Sequence, residues 1–181
     1  MSAGPSDAEV IARVLDGDTE AFGVLVDRYQ DEFAAYAKHM TGSRDDAADI
    51  VQESLIRAYN SLGRCSERER FKGWLFRIVS NQCKSHLARA RRRMRSPLDS
   101  LIDEPGAATP DADAEAAELR DRVQRALQEL PADQREALVL KYLHGLSLPE
   151  MAELLSCSVP ALKMRLLRGR EGLRETLGEV A

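Results

Sequence analysis

Cysteine is scarce and poorly spaced for structure: Cys65, Cys83 and Cys157 are odd in number and far apart. A disulfide framework or a C-x-x-C metal knuckle built from them alone is excluded, and they read as free thiols. Aromatic residues make up 5% of the chain, with a single Trp. Cores must therefore rest on Leu, Val and Ala, a composition that favours helices over sheets. Nowhere do about eighteen uncharged apolar residues run together, and Met1 to Glu9 lacks a basic start followed by an apolar stretch. No membrane insertion and no secretory leader is expected, which points to a cytoplasmic protein.

Chemistry is equally sparse. His39, His86 and His144 have no triad-like or zinc-like neighbours, and neither a Gly-rich phosphate loop nor a G-x-S-x-G elbow occurs. No catalytic residue, metal or cofactor is expected, so the chain does not read as an enzyme. Asp45, Asp49 and Glu53 would share one helical face, with Asp46 beside them, but no His or Cys joins them. Such a face is solvated or meets a basic partner, and it does not bind a metal.

What is present is helical and unevenly charged. The 181 residues suit one ordinary domain or two small ones, and 44% hydrophobic residues suffice for packed cores. The net charge of −4 hides three blocks. Lys84 to Arg95 holds six basic residues and no acid, whereas Ser96 to Glu118 holds seven acids and no Lys or Arg. Pro160 to Arg174 sets five basic residues against Glu171 alone. A polyanion can thus be gripped at two separate places.

The stretch from Ser96 to Asp113 also carries Pro97, Pro105, Gly106 and Pro110 and shows no apolar periodicity. The chain divides into a first module at 8–95, a flexible acidic linker at 96–116 and a second module at 117–178. In the first module Phe22, Leu25, Val26, Tyr29 and Phe33 recur at helical spacing after Asp18-Thr19. Beyond Thr41-Gly42-Ser43, the period continues through Ala47, Ile50, Val51, Leu55 and Tyr59, with Ser43 or Asp45 as cap. A loop near Gly63 to Glu69 leads to a helix begun by Phe71, Trp74, Leu75, Ile78 and Val79, whose later turns are the basic block.

In the second module Leu119, Val123, Ala126, Leu127 and Leu130 form one helix face, which Pro131 stops. Leu138, Val139, Tyr142 and Leu143 belong to the next helix, which ends at His144-Gly145. Ser147 and Glu150 form a capping box for a short helix, Ser156-Cys157-Ser158 a turn, and Ser158 the cap of a last helix burying Val159, Leu162, Leu166 and Leu173. The fold class is all-α, two small helical domains on an acidic tether.

Two helices joined by a three-residue turn, the second studded with bases, match a helix-turn-helix unit. The second helix presents Lys163, Met164, Arg165, Leu167, Arg168 and Arg170. Its Arg side chains can pair with guanine edges or phosphates, and Met164 or Leu167 with thymine methyls. In the first module, the run from Arg89 to Arg95 follows Phe71, Trp74, Phe76 and Asn81, a combination suited to single-stranded nucleic acid. Phe71 and Trp74 fall on the apolar stripe with Ile78 and are assigned to the core. Asn81 and the polar loop Ser66, Glu67, Arg68, Glu69 and Arg70 are the candidates for base edges.

Asp49-Ile50-Val51-Gln52-Glu53 with Ile56-Arg57-Ala58-Tyr59, then Phe71-Lys72-Gly73-Trp74-Leu75-Phe76-Arg77-Ile78 with Asn81, and finally Leu130-Pro131 with the helix-turn-helix, occur in that order. Together they resemble a bacterial sigma factor of the extracytoplasmic-function group, in the sigma-70 family, over about Ala8 to Leu177. The resemblance implies that the first module is sigma region 2 and the second region 4. It implies that Asp49, Gln52 and Glu53 meet the beta-prime coiled coil of core RNA polymerase, through charge-assisted bonds to Arg. The flipped base of the minus-ten element would then sit at Ser66 to Arg70 and Asn81, with Lys84, Arg89, Arg91, Arg92 and Arg93 near phosphates.

By the same resemblance Ser158, Lys163, Arg165, Arg168 and Arg170 read the minus-thirty-five element of duplex DNA, the second module binds the polymerase beta flap, and the linker lies near the RNA exit path. An anti-sigma factor wedged between the modules is a further implied partner. The function implied is that of a promoter-specificity subunit that recognises promoters and helps open DNA. The alternative is a stand-alone helix-turn-helix regulator whose first module senses a ligand or dimerises, which would have no need of an acidic helix beside an aromatic and basic one.

Overall fold

The computed structural model describes residues 4–94 and 114–178. Eight α-helices run through them, with no strand among the described residues. The all-α expectation is met.

Helix α1, Asp7–Leu15, begins with a capping box: Ser6 Oγ accepts from the Glu9 amide at 3.3 Å and Glu9 accepts from the Ser6 amide at 2.7 Å. The Ser6 amide and hydroxyl, both donating to Glu9 Oε2, hold the Glu9 carboxyl below the usual carboxylate range. Ser6-x-x-Glu9 is the sequence signal for this helix, ahead of the Asp18-Thr19 start expected for the first module. Val10, Ile11 and Val14 bury its inner face.

Asp18 caps a 3-10 turn at Thr19–Ala21 that leads into α2, Phe22–Thr41. Helix α2 ends where Gly42 takes a left-handed φ of 82°, and Ser43, rather than Asp45, caps α3, Arg44–Asn60, by accepting from the Asp46 amide at 3.2 Å. Two 3-10 turns, Leu62–Arg64 and Arg68–Arg70, then deliver the chain to the 24-residue α4, Phe71–Met94. Helices α2, α3 and α4 share a core of Leu25, Phe33, Met40, Ile50, Leu55, Phe71, Leu75 and Val79. Phe71 is fully buried and Trp74 partly so, their rings 5.8 Å apart, as the apolar stripe predicts. Each such side chain contributes about 1.5–3 kcal/mol by leaving water.

In the second module α5, Ala114–Glu129, starts three residues before the expected 117, so the last residues of the acidic segment are helical. The rest of that segment lies outside the described residues. Helix α6, Ala132–Leu138, passes into a π-helical turn, Val139–Leu143. There the His144 amide reaches back to the Val139 carbonyl at 3.2 Å. The wider turn rotates Tyr142 and Leu143 outward, 60% and 52% exposed, and buries Leu140 instead. Of the four apolar residues expected on this helix, Leu138 and Val139 are buried and Tyr142 and Leu143 are exposed.

Helix α7, Leu148–Leu154, has the expected Ser147–Glu150 capping box, and Ser158 caps α8, Val159–Gly178. Between them Ser156 adopts a left-handed φ of 50°. Helix α8 lies close on α5 and α6: a Cβ at Gly172 would come within 2.6 Å of Leu130 Cδ2, so a larger residue there would push the Leu130 side chain aside. Met151, Leu162 and Leu166 close the core.

The two modules share a buried seam that the sequence does not announce. Glu136 of α6 is fully enclosed, accepting from Tyr36 Oη at 2.9 Å and from Ser80 Oγ, and pairing with Lys84 Nζ at 2.7 Å. Beside it Arg135 donates to the Met40 carbonyl and to Gln128. Gln124 and Gln128 of α5 donate to the His39 carbonyl at 3.3 and 3.1 Å. The last carbonyls of α2, which no helix can satisfy internally, are thereby capped from the second module.

Candidate nucleic-acid and polymerase interface

Helical periodicity fixes what α3 shows to solvent. Ala47, Ile50, Val51, Ser54, Leu55 and Ala58 turn inward, so Asp49, Gln52 and Glu53 turn out, all exposed. With Ile56 and Arg57 they line one side of a groove of about 600 Å³ whose other wall is Gln82, His86 and Arg89 of α4. Glu53 pairs with Arg57 at 2.7 Å, one turn along. Such an exposed pair is worth about 0.3–0.5 kcal/mol, so Glu53 is readily given to another cation. Ile56, quoted above within the Ile56-Arg57-Ala58-Tyr59 motif but not among the site residues, is half exposed among these charges in the groove.

The loop from Ser66 to Arg70 sits just ahead of α4. Ser66, Glu67, Glu69 and Arg70 are exposed and Arg68 half-buried. Cys65 anchors the loop from beneath, its thiol donating to the Glu67 carbonyl at 3.7 Å, with burial pushing that thiol's pKa up. Asn81 is exposed on α4. Arg89, Arg92 and Arg93 are exposed as well, and Arg89 donates to the Ser85 carbonyl at 3.3 Å.

Lys84 and Arg70 are already engaged: Lys84 pairs with Glu136, and Arg70 with Glu153 of α7 at 2.7 Å. Arg91 reaches the Leu130 carbonyl at 3.5 Å. Neither these partners nor Arg77, which donates to the Glu153 carbonyl at 3.4 Å, appear in the set read from sequence.

On α8 the buried Leu162, Leu166 and Gly169 define the inner face. Lys163, Arg168 and Arg170 are exposed, as are Met164 and Leu167 at 47% and 40%. Arg165 is half-buried, 3.9 Å from Asp133. Ser158 spends its hydroxyl on the helix start, accepting from the Ala161 amide at 3.3 Å. Among the described residues no group of His, Cys, Asp and Glu is placed to hold a metal ion.

A model of sigma-70 region 2 matches residues 25–93, and one of sigma-70 region 4 matches 120–173. The chain is 36% identical to the extracytoplasmic-function RNA polymerase sigma-E factor of Salmonella typhimurium, over 96% of this chain and 95% of that one. It is 34% identical to the RNA polymerase sigma-H factor of Pseudomonas aeruginosa, over 98% and 96%. Among solved structures it resembles CnrH in complex with the cytosolic domain of CnrY, with a TM-score of 0.68 and 30% identity over 98% of this chain and all of that one. It also resembles the sigma factor RpoE of Bartonella quintana in complex with the anti-sigma factor NepR, with a TM-score of 0.67 and 28% identity over 87% and 96%. The stand-alone regulator is set aside: the chain belongs to the sigma-70 family, as a sigma factor of the extracytoplasmic-function group.

Proposed function

We propose that this sigma subunit joins core RNA polymerase in the cytoplasm, carries it to promoters and helps part the strands, leaving all catalysis to the polymerase. The first module binds core through Asp49, Gln52 and Glu53, whose carboxylates accept charge-assisted bonds from Arg on the beta-prime coiled coil. The Ser66 to Arg70 loop and Asn81 take base edges of the minus-ten strand, while Lys84, Arg89, Arg91, Arg92 and Arg93 hold its phosphates. The second module lays α8 in the major groove of the minus-thirty-five element, with Lys163, Arg165, Arg168 and Arg170 as its polar contacts, Met164 and Leu167 as its apolar ones, and Ser158 at its start. It also meets the beta flap.

Opening needs no nucleotide hydrolysis. Capturing unstacked bases returns about 1–3 kcal/mol each against the cost of unpairing. The similar structures named above hold CnrY and an anti-sigma factor, and an anti-sigma factor is proposed for this chain too. Among the described residues no helix is long and apolar enough to cross a membrane, which is compatible with the cytoplasmic assignment.

The observation that carries the reading is the separation of the two chemistries. Carboxylates crowd the exposed face of α3 in one module, and cations with two apolar side chains crowd the exposed face of α8 in the other. Run-off transcription by purified core polymerase over a promoter library, with and without this chain, tests it. Start sites that appear only with the chain are expected. A folded, inhibitor-free chain that directs core to no start site would overturn it.

A further inference from the structure

The Ser66 to Arg70 loop has little of its own to hold its shape. None of its five residues is apolar, and the nearest anchors are Leu62 and Cys65 before it and Phe71 after it, all buried. A single 3-10 turn, Leu62–Arg64, precedes it and another, Arg68–Arg70, makes its second half. Such turns have weak hydrogen-bond geometry, so the loop takes the shape its supports impose.

The support on one side is α1, which packs on both turns as well as on α2. At nine residues α1 is shorter than the about 12–15 that a lone helix needs in water, so it must be pinned. The pin is Asp7, in its first turn. Adjacent residues of α2 take both carboxylate oxygens: Arg28 pairs with Oδ1, and the Tyr29 hydroxyl donates to Oδ2 at 2.5 Å. Arg28 also donates to the Pro5 carbonyl at 2.7 Å, tying down the chain ahead of the helix.

The Tyr29 ring faces the other way. Its centroid lies 5.9 Å from that of Phe71, where the loop ends and α4 begins. One buried tyrosine thus touches the start of α1 with its hydroxyl and the end of the loop with its ring. Burial, and then the bond to Asp7, push the Tyr29 pKa up to about 12, so at neutral pH the hydroxyl keeps its proton and goes on donating. At the other end of the loop burial raises the Cys65 pKa, and the nearby Asp7 charge adds to it.

We infer that Asp7 and Tyr29 are positioning residues of the minus-ten pocket: through α1 and Phe71 they hold the Ser66 to Arg70 loop in the shape that accepts an unstacked base. The inference rests on the proposed role of that loop and gives the first helix a share in strand recognition without any contact to DNA. Loosening the pin leaves the loop competent for only a fraction of the time, and base capture weakens by that fraction.

The test uses holoenzyme and a single-stranded oligonucleotide carrying the minus-ten sequence of a start site found by run-off transcription, beside versions in which one base at a time is replaced by an abasic site. Tyr29→Phe removes the hydroxyl and keeps the ring on Phe71, whereas Asp7→Ala removes the acceptor. Fluorescence anisotropy gives the ratio of intact to abasic affinity at the captured position. That ratio is expected to fall roughly tenfold in Asp7→Ala and roughly threefold in Tyr29→Phe, as when the competent loop drops to about a tenth or about a third of the molecules. Adding Tyr29→Phe to Asp7→Ala should cost nothing more, because both break the same bond. Co-elution with core and affinity for a duplex carrying only the minus-thirty-five element are expected to stay unchanged. Hydrogen exchange should quicken at the Arg70 amide, which donates to the Glu67 carbonyl at 2.9 Å.

Should Asp7→Ala fail a circular-dichroism check of folding, Tyr29→Phe, which loses one oxygen atom, decides the matter alone. An unchanged ratio in a folded variant, additive losses in the double variant, or a matching loss on the minus-thirty-five duplex would overturn the inference. Arg68→Ala with Glu69→Ala, inside the loop, separates it from the reading beneath it. If that loop variant loses the ratio while the Asp7 and Tyr29 variants keep it, the inference falls and the loop assignment stands. If the loop variant keeps the ratio, the loop assignment falls and takes the inference with it.

Discussion

Asp49 and Glu53 keep their carboxylates in solvent, while Glu136, the same kind of group, is fully enclosed, its Oε1 accepting from Tyr36 and Ser80 and its Oε2 paired with Lys84. The contrast decides what a charge reversal does. At Glu136 it would leave a buried cation facing Lys84, at a cost of about 3–5 kcal/mol or more. At Asp49 and Glu53 the replaced side chains stay in water, where substitutions usually shift stability by no more than about 0.5 kcal/mol. The double substitution Asp49→Lys and Glu53→Lys is therefore expected to abolish co-elution with core polymerase while leaving the thermal midpoint nearly unchanged. Assembly of a normal holoenzyme by that variant would show that the acidic face is ordinary solvated surface. Lys84 was legible as a cation because it opens a block free of acids, but its partner was not. Glu136 lies between Arg135 and Ala137 in a short helix, and nothing in that local pattern distinguishes a buried acid from an exposed one.

Elements were read well where a cap and an apolar stripe agree, as at Ser43 with Ala47, Ile50 and Val51, or at Ser147 with Glu150. Helix α1 carries a cap of the same kind but only nine residues, too short for its stripe of Val10, Ile11 and Val14 to stand out. The π turn after α6 had no local signal at all: Val139 to Leu143 suit an ordinary helix, and tertiary packing of Leu140 selects the wider turn. Helix α8 follows its reading more closely, since buried Leu162 and Leu166 fix which way Lys163 and Arg168 face. Replacing Lys163 or Arg168 with Ala is expected to weaken minus-thirty-five binding. Where the lost contact is to a phosphate, the slope of log affinity against log salt should fall by about one unit. Titrations of holoenzyme on promoter DNA across salt concentrations check this, and superimposable curves for the unaltered and substituted proteins would remove α8 from the interface.

For the molecule as a whole, the packing of one module on the other is what the sequence concealed. The acidic segment between them reads as a spacer, and the groups that join them, Tyr36, Ser80, Gln124, Gln128 and Arg135, carry no periodic or compositional mark. The seam also includes a titratable ring: His144 stacks edge-on against Tyr36 with centroids 6.0 Å apart. Burial, aided by His39 and Lys72 and opposed by Glu32, holds the His144 pKa below its ordinary 6.5. Its contribution is complete above pH 6.5, where the ring is neutral whether the modules are joined or apart. It is lost as the pH falls below that value toward the depressed one, because the released ring takes up the proton first. Scattering between neutral pH and mild acid should show the two modules loosening from one another, and His144→Gln should flatten the change. An identical pH response in that variant would place the sensitivity elsewhere.

The seven-residue spacing from Arg70 to Arg91 carries a geometric corollary. Because a helix turns slightly out of step with a sevenfold repeat, by about 20° each time, Arg77, Lys84 and Arg91 wind through about 40° along α4. The second module meets that winding with acceptors at Leu130, Glu136 and Glu153, so its seat on the first is keyed to the pitch of a single helix.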